Sequence, residues 1–183
     1  KLNGFFSFII KTQNRVFVAV DRVRSIPLFY TTKENILFIS NDAEAVRKIT
    51  NNVEFDSIAV QEFTARMVCG SDTLFSDVKQ VRPGDCIEFE LNNTNGINIT
   101  AFKYFVFTHS EKYDEHDRPQ LEVQMLSVFS ECIDRLVDYA KGRQLILPLS
   151  AGYDSRLIAL MLHKKGIKNV LCFSYGIKEN FEA

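Results

Sequence analysis

The sequence predicts two architectures in one chain: an antiparallel α+β unit followed by an α/β unit with parallel strands. Four short β-type runs, joined by brief polar connectors, fill the first forty residues. A polar stretch without apolar periodicity follows residue 107, as expected between domains. Beyond it, a strand, a tight turn, a helix and a second strand occupy residues 145–173, which predicts a βαβ unit.

The first unit, residues 1–107, is rich in Phe, Val and Ile runs. Connectors this short predict hairpins and therefore an antiparallel meander. A Pro83-Gly84 turn is expected between two later strands. The predicted strands are Phe5–Ile10, Val16–Val20, Pro27–Thr31, Ile36–Ser40, Val78–Val81, Asp85–Leu91 and Ile97–Lys103. The predicted helices run from Asn41 or Asp42 to about Ile49 and from Asp56 or Ser57 to about Met67.

The second unit, residues 119–183, follows a predicted linker at residues 108–118. Apolar residues recur at helical spacing in its first part, and Gly166 is placed to end a second helix. The predicted elements are a helix over Pro119–Ala140, a strand over Leu145–Leu149, a helix over Asp154–Lys165 and a strand over Val170–Phe173.

Composition limits the possible partners. The 183 residues include 22 Lys and Arg against 23 Asp and Glu, so the net charge of −1 provides no general attraction for nucleic acid or an anionic membrane. At 46% hydrophobic residues the chain is too apolar for disorder. It contains no uninterrupted apolar run of about 18 residues, as a membrane-spanning helix would need.

The cysteines and phenylalanines are expected to be mostly buried, and the cysteines also predict a reducing compartment. The four cysteines lie in apolar surroundings without a CxxC pair, so we expect buried free thiols and a cytoplasmic location. The sixteen phenylalanines are expected mostly in the core.

The segment from Leu147 to Arg156 is the most informative for function. It lies where an apolar strand turns into a helix, and small residues there allow backbone N–H groups to approach an anion. Ser150 and Ser155 could add hydroxyl donors. Asp154 beside a phosphate favours a Mg²⁺ ion between the two groups.

Other interpretations of this loop stay open. Asp154 or Ser155 could simply cap the helix, with no ligand involved. A Walker-type loop is disfavoured because no Lys-Ser or Lys-Thr follows the glycine, and a GxGxxG dinucleotide motif is absent.

Several motifs in the same order resemble those of the asparagine synthetase family. Ser150–Ser155 resembles its pyrophosphate loop, Ser-Gly-Gly-x-Asp-Ser, with Ala151 replacing a glycine. Cys172–Gly176 resembles its next strand, which ends beside the adenine, and Asn180–Ala183 resembles the start of the following helix. The upstream motifs are Asn3–Phe8, Asp21-Arg22 with Ile26–Tyr30, and Val81–Gly84.

This resemblance implies part of an Ntn-type glutamine amidotransferase sandwich, followed by the start of an ATP-pyrophosphatase (PP-loop) domain. In the family, glutamine supplies ammonia, and a carboxylate is adenylated by Mg·ATP and then amidated. The resemblance assigns pyrophosphate binding to Ser150, Ala151, Gly152, Asp154 and Ser155, and Mg²⁺ to Asp154. Tyr175 and Gly176 are assigned to the adenine side. A homodimer is also considered.

Three departures restrict these expectations. Alanine at position 151 would be strained if the loop needs a positive φ there. The family's N-terminal cysteine and its Asn-Gly-Glu segment are not found in this sequence, so no catalytic residue for glutamine hydrolysis is assigned. The synthetase part stops soon after its second strand, so we expect a central piece of a larger ligase that is inactive alone.

Two rival functions remain. One is a degenerate homologue that serves as a scaffolding or dimerisation module. The other is a different ATP-pyrophosphatase acting on tRNA or a sulfur acceptor, which does not explain the first hundred residues. The variants Tyr153–Arg156 and Ser174–Gly176 resemble a subset of the family associated with bacterial surface-polysaccharide genes, so the acceptor need not be aspartate.

Overall fold

The structure is a computed structural model and describes residues 2, 4–92, 96–108 and 117–176. Its contacts divide the chain into two units, Lys1–His109 and Ser110–Ala183. Within the described ranges, no helix has both the length and the apolar content needed to cross a membrane. Some predictions fall outside these ranges: Asn3, most of the turn at 92–96, most of the linker at 108–118 and the helix start at 180–183.

The first unit contains two antiparallel sheets with strand orders β1-β2-β6-β7 and β4-β3-β5. This agrees with the predicted α+β class. The strands are β1 (Ser7–Lys11), β2 (Arg15–Val20), β3 (Phe29–Lys33), β4 (Ile36–Ser40), β5 (Lys79–Gln80), β6 (Asp85–Asn92) and β7 (Gly96–Lys103).

The predicted meander is wrong at one connection. β2 pairs with β6, with Val18 opposite Ile87, and not with β3. The segment after β2 leads to the second sheet because it turns around the buried Asp21 carboxylate, which accepts backbone N–H groups from Val23 and Ser25 at 3.0 Å each. The positions of the strands are therefore predicted correctly. Which strands pair is not, because the short connector between two strands does not determine their pairing.

One hydrophobic core lies between the two sheets. Alternate residues of β2 point into it, and Val18 and Val20 are fully buried. The Tyr30 and Phe89 rings meet edge to face at 5.0 Å, joining β3 to β6. The remaining buried members are Val16, Leu28, Val81 and Ile87.

Two capped helices belong to the first unit. α1 (Ala43–Thr50) begins after Asp42, whose carboxylate accepts the Glu44 N–H at 2.9 Å. α2 (Ser57–Thr64) begins after Asp56, which caps it in the same way. α2 ends before the predicted Met67 because Arg66 has a left-handed φ of 66°.

The second unit contains α3 (Arg118–Ala140), β8 (Leu145–Pro148), α4 (Tyr153–Lys164) and β9 (Val170–Phe173). β8 and β9 pair in parallel, as predicted for a βαβ unit. The Lys165 ammonium, at the end of α4, lies 2.6 Å from the Asp134 carboxylate of α3. Gly166 follows with a φ of 73°, which ends the helix as expected.

Two burial predictions fail. Of the four free cysteines only Cys86 is half-buried; Cys69, Cys132 and Cys172 are exposed. Several phenylalanines also reach solvent, including Phe5 and Phe107 at 81% and 71% exposure. An apolar run predicts a strand but not which of its two faces is covered, so alternate side chains of such runs remain outside.

Candidate functional site

The predicted anion loop connects the carboxyl end of β8 to the start of α4. Its first residue is fixed to β9, because the Leu149 N–H donates to the Phe173 carbonyl at 2.7 Å. The Ser174 hydroxyl donates to the Leu149 carbonyl at 3.1 Å. The loop and the residues that follow β9 therefore share one edge of the parallel strand pair, where ligands of open α/β sheets bind.

Two serines hold the loop together. The Ser150 N–H donates to the Ser155 hydroxyl at 3.1 Å, and the Gly152 N–H donates to the Ser150 hydroxyl at 3.2 Å. The two hydroxyl oxygens are themselves 3.1 Å apart. Two backbone N–H groups of the predicted pyrophosphate loop therefore donate to serine hydroxyl oxygens of the loop itself.

Ala151 and Gly152 differ in what they tolerate. Ala151 is not among the residues with positive φ, so its methyl group causes no left-handed strain. Gly152 has a φ of −72°, and a side-chain carbon added there would lie 3.3 Å from the Ser150 hydroxyl oxygen. A side chain at position 152 would therefore require the Ser150 hydroxyl to shift by a few tenths of an ångström, whereas alanine at position 151 is free of left-handed strain.

Asp154 lies in the first turn of α4 and is exposed. The residue at the N-cap is Gly152, and no side chain caps the helix, so the alternative in which Asp154 or Ser155 is the cap is wrong. Ser155 instead bonds back to Ser150. The Asp154 carboxylate is thus free of a capping role, at a helix end that favours negative charge.

The donor set suits Mg²⁺ held jointly with a phosphate. Within the described ranges, no group of three His, Cys, Asp or Glu side chains is placed to hold a metal ion. Mg²⁺ is commonly held by one or two carboxylates together with substrate phosphates and water, so the single carboxylate of Asp154 fits that mode.

Tyr175 and Gly176 follow β9 at the same edge. The Tyr175 ring is 85% exposed and lies 6.2 Å from the Phe173 ring, centroid to centroid. Nothing lies within 4 Å of where a Gly176 side chain would begin. Among the described residues, neither Tyr175 nor Gly176 hydrogen-bonds to the loop of residues 149–152, here called the serine loop.

The polar cluster around Asp21 supports the turn that follows β2. The carboxylate is buried, and besides Val23 and Ser25 it accepts the Phe6 N–H at 3.2 Å. Desolvation raises the pKa of this carboxyl, but the hydrogen bonds from Val23, Phe6 and Ser25 together outweigh it and leave the pKa below its ordinary value. Arg24 is hydrogen-bonded to Gln80 beside this turn.

Sequence reasoning missed a second buried carboxylate, Asp85. One of its oxygens lies 2.6 Å from the Arg82 guanidinium, and the other has no hydrogen-bond partner among the described residues. Lys103, opposite it on β7, is 3.9 Å from that second oxygen. The sequence did contain a signal for this burial. Asp85 and Ile87 lie two residues apart on one strand, so both side chains point to the inward face.

The two cysteines of the first unit do not resemble activated nucleophiles. Desolvation, and then the Glu88 charge, raises the pKa of the Cys86 thiol. The Glu62 carboxylate raises that of Cys69. Because the thiolate is the nucleophile, a raised pKa lowers the reactive fraction of both thiols near neutral pH.

Comparisons with known proteins agree with the architecture of the first unit. The glutamine amidotransferase domain family matches residues 1–103. A relative, asparagine synthetase [glutamine-hydrolyzing] 1 of Bacillus subtilis (strain 168), is 27% identical over 182 residues, which is 98% of this chain. The chain spans 27% of that relative's length. Since the family match covers more than half of its residues, the chain belongs to the glutamine amidotransferase domain family, and it is asparagine synthase-like over nearly its whole length.

Proposed function

We propose that this chain is part of a glutamine-dependent amidotransferase that forms an amide on a carboxylate activated by Mg·ATP. The amidotransferase part is supported by the family match to residues 1–103. The synthetase part is supported by the relative, whose similarity continues beyond residue 103 to cover 98% of the chain. The observation that carries the ATP-dependent step is the serine loop between β8 and α4.

The loop is suited to pyrophosphate. The Ser150 and Gly152 N–H groups already face hydroxyl oxygens at 3.1 and 3.2 Å, the distances of hydrogen bonds to a phosphate oxygen. The twelve-residue α4 adds the positive end of its helix dipole at the same point. An incoming phosphate would take over these donors, and the Ser150 and Ser155 hydroxyls would turn to donate to it.

Asp154 would hold Mg²⁺ against the phosphates. Bound there, the ion would supply charge neutralisation for the leaving pyrophosphate. Ala151 does not have a positive φ, so the loop adopts this backbone without left-handed strain at that position. The exposed Tyr175 and Gly176 would lie on the adenine side, where an exposed ring can stack on the base.

The remaining parts of the proposal are supported by the similarity to the glutamine-hydrolysing asparagine synthetase. The acceptor is a small carboxylate, and the nitrogen source is glutamine or ammonia. The protein works in the cytoplasm, where ATP and free thiols coexist.

Calorimetric titration of Mg·ATP into the 183-residue chain tests the proposal. We expect binding that requires Mg²⁺ and that weakens about tenfold or more in Asp154→Asn, since a charge-assisted contact is lost. Asp138→Asn, which removes another exposed carboxylate on α3, is the matched control and should bind like the unmodified chain. Absence of binding, or equal binding by both variants, would contradict the assigned site.

Ala151→Gly separates the proposal from a degenerate scaffolding homologue. If alanine is accommodated, restoring glycine leaves the affinity for Mg·ATP within about threefold, since no left-handed strain is relieved. A chain that binds only after this substitution would instead support degeneration.

A further inference from the structure

A side-chain hydrogen bond joins the ends of the two parallel strands. The hydroxyl of Ser174, the residue after β9, donates to the Leu149 carbonyl at 3.1 Å. Leu149 is the first residue of the serine loop, and Ser174 directly precedes Tyr175 and Gly176. The bond therefore connects the side of the site assigned to phosphate with the side assigned to adenine.

The register of the strands shows that this bond takes the place of a backbone contact. The last backbone bond of the pair runs from the Leu149 N–H to the Phe173 carbonyl at 2.7 Å. In a parallel ladder of this register, the Leu149 carbonyl would next accept the Tyr175 N–H. It accepts the Ser174 hydroxyl instead, so the ladder ends with β9 and the following residues are held by a side chain.

A ligand that carries both a base and phosphates has to contact both sides of this edge at once. Its affinity depends on how well the two sides are held at the right spacing beforehand, because part of the binding free energy is lost when a site must first be ordered. The hydroxyl bond restricts the chain directly between them, since Leu149 leads into Ser150 and Ser174 leads into Tyr175. A ligand that contacts only the serine loop gains little from this restriction.

We propose that Ser174 is a positioning residue for the nucleotide. Its hydroxyl sets the spacing between the serine loop and residues 175–176, and so favours ligands that reach from one to the other. This role rests on the proposed function, since it concerns the same nucleotide. Both hydrogen-bonded atoms, and both segments that they join, lie in one unit of the chain.

Ligands of two lengths test the proposal in the 183-residue chain. Calorimetry with Mg·ATP and with Mg·pyrophosphate compares a ligand that spans the edge with one that reaches the serine loop alone. Ser174→Ala should weaken binding of Mg·ATP about tenfold and leave that of Mg·pyrophosphate within about threefold. Ser127→Ala, which removes an exposed serine hydroxyl of α3, is the matched control and should bind both ligands like the unmodified chain.

A pair of β-branched variants separates the hydroxyl from the shape of the side chain. Ser174→Thr keeps the hydroxyl and should bind Mg·ATP within about threefold of the unmodified chain. Ser174→Val has nearly the same shape without the hydroxyl and should bind Mg·ATP about tenfold more weakly. Circular dichroism of each variant confirms that it is folded.

The possible outcomes separate failure of the positioning role from failure of the proposed function. The positioning role alone is overturned if the unmodified chain binds both ligands but Ser174→Ala and Ser174→Val bind Mg·ATP equally well. It is also overturned if these variants lose Mg·pyrophosphate to the same extent as Mg·ATP. If the unmodified chain binds neither ligand, the proposed function is overturned and the positioning role with it.

Discussion

The two units of this chain bury their apolar residues to very different extents. Of the fifteen buried apolar residues in the described part, twelve lie in the first unit and three, Ile133, Ala140 and Leu162, in the second. The second unit meanwhile exposes apolar side chains on both its strands and helices, among them Ile146 at 62% and Leu126 at 56%. Similar amphipathic patterns thus led to a closed core in one unit and to uncovered faces in the other.

The difference follows from the number of layers. In the first unit two sheets face each other, so the inward residues of one are covered by the other. The second unit has two helices and a sheet of two strands. A two-stranded sheet has too little area to cover the apolar faces of both helices. The stability of the chain should therefore depend on the sandwich, whereas the proposed nucleotide site lies on the unit with the smaller core.

The largest effect is expected from truncating the core ring Phe89. Phe89→Ala removes a fully buried side chain and should lower the free energy of unfolding of the first unit by about 3–5 kcal/mol. Phe173→Ala removes the same side chain where it is 43% exposed, and should cost about 1 kcal/mol. Urea unfolding, monitored in each unit by hydrogen exchange, measures the free-energy cost of both substitutions. Equal costs would contradict the difference between the units.

The next effect concerns the turn that links the two sheets. Asp21→Ala leaves the N–H groups of Phe6, Val23 and Ser25 without their acceptor, which should cost about 3 kcal/mol. The loss should appear as faster hydrogen exchange in β2 and β6, with the second unit unchanged. The exposed Asp138→Ala serves as the control and should stay within about 0.5 kcal/mol of the unmodified chain.

The same carboxylate should make the first unit sensitive to acid. Because the pKa of Asp21 is lower in the folded state, its contribution is fully present above about pH 4 and is lost as the pH falls through its folded value. Unfolding free energies measured from neutral pH down to about pH 3 should therefore fall less steeply for Asp21→Asn than for the unmodified chain. If the unfolding free energies of the two chains fall with the same slope, the acid sensitivity does not come from Asp21.

The smallest effect on stability is expected in the serine loop. Gly152→Ala brings a methyl group to 3.3 Å from the Ser150 hydroxyl oxygen, so it should displace that hydroxyl at a cost of about 1 kcal/mol while weakening Mg·ATP binding. The neighbouring Ala151→Gly should leave the fold within about that value. Thermal unfolding and calorimetry of the pair compare the two positions directly.

Local features were predictable, and partners of distant elements were not. The sequence predicts the helix caps to within one residue, as Asn41 or Asp42 and Asp56 or Ser57, and the structure has Asp42 and Asp56. Capping is predictable because it needs only a side chain and the next few N–H groups. The pairing of β2 with β6 joins Val18 to Ile87, and several strands with the same alternation could have served equally well. The buried position of Asp85 depends on that pairing and was missed for the same reason.

At the candidate site, the sequence predicted the place but not the internal bonding. Strand, small-residue turn and helix were enough to bring Ser150 and Asp154 to the carboxyl edge of β8. The contacts between Ser150 and Ser155 depend on how far the helix start is rotated, which spacing alone does not define. Similarly, the strain expected at Ala151 required a φ angle that only the structure provides.

The central claim is that the serine loop binds the phosphates of Mg·ATP through its backbone. Amide NMR of the 183-residue chain tests this most directly, because it reports each N–H separately. Adding Mg·ATP should shift the resonances of Ser150, Gly152 and the first turn of α4, and leave those of the first unit's core unchanged. Unchanged Ser150 and Gly152 resonances at about millimolar Mg·ATP would contradict the account.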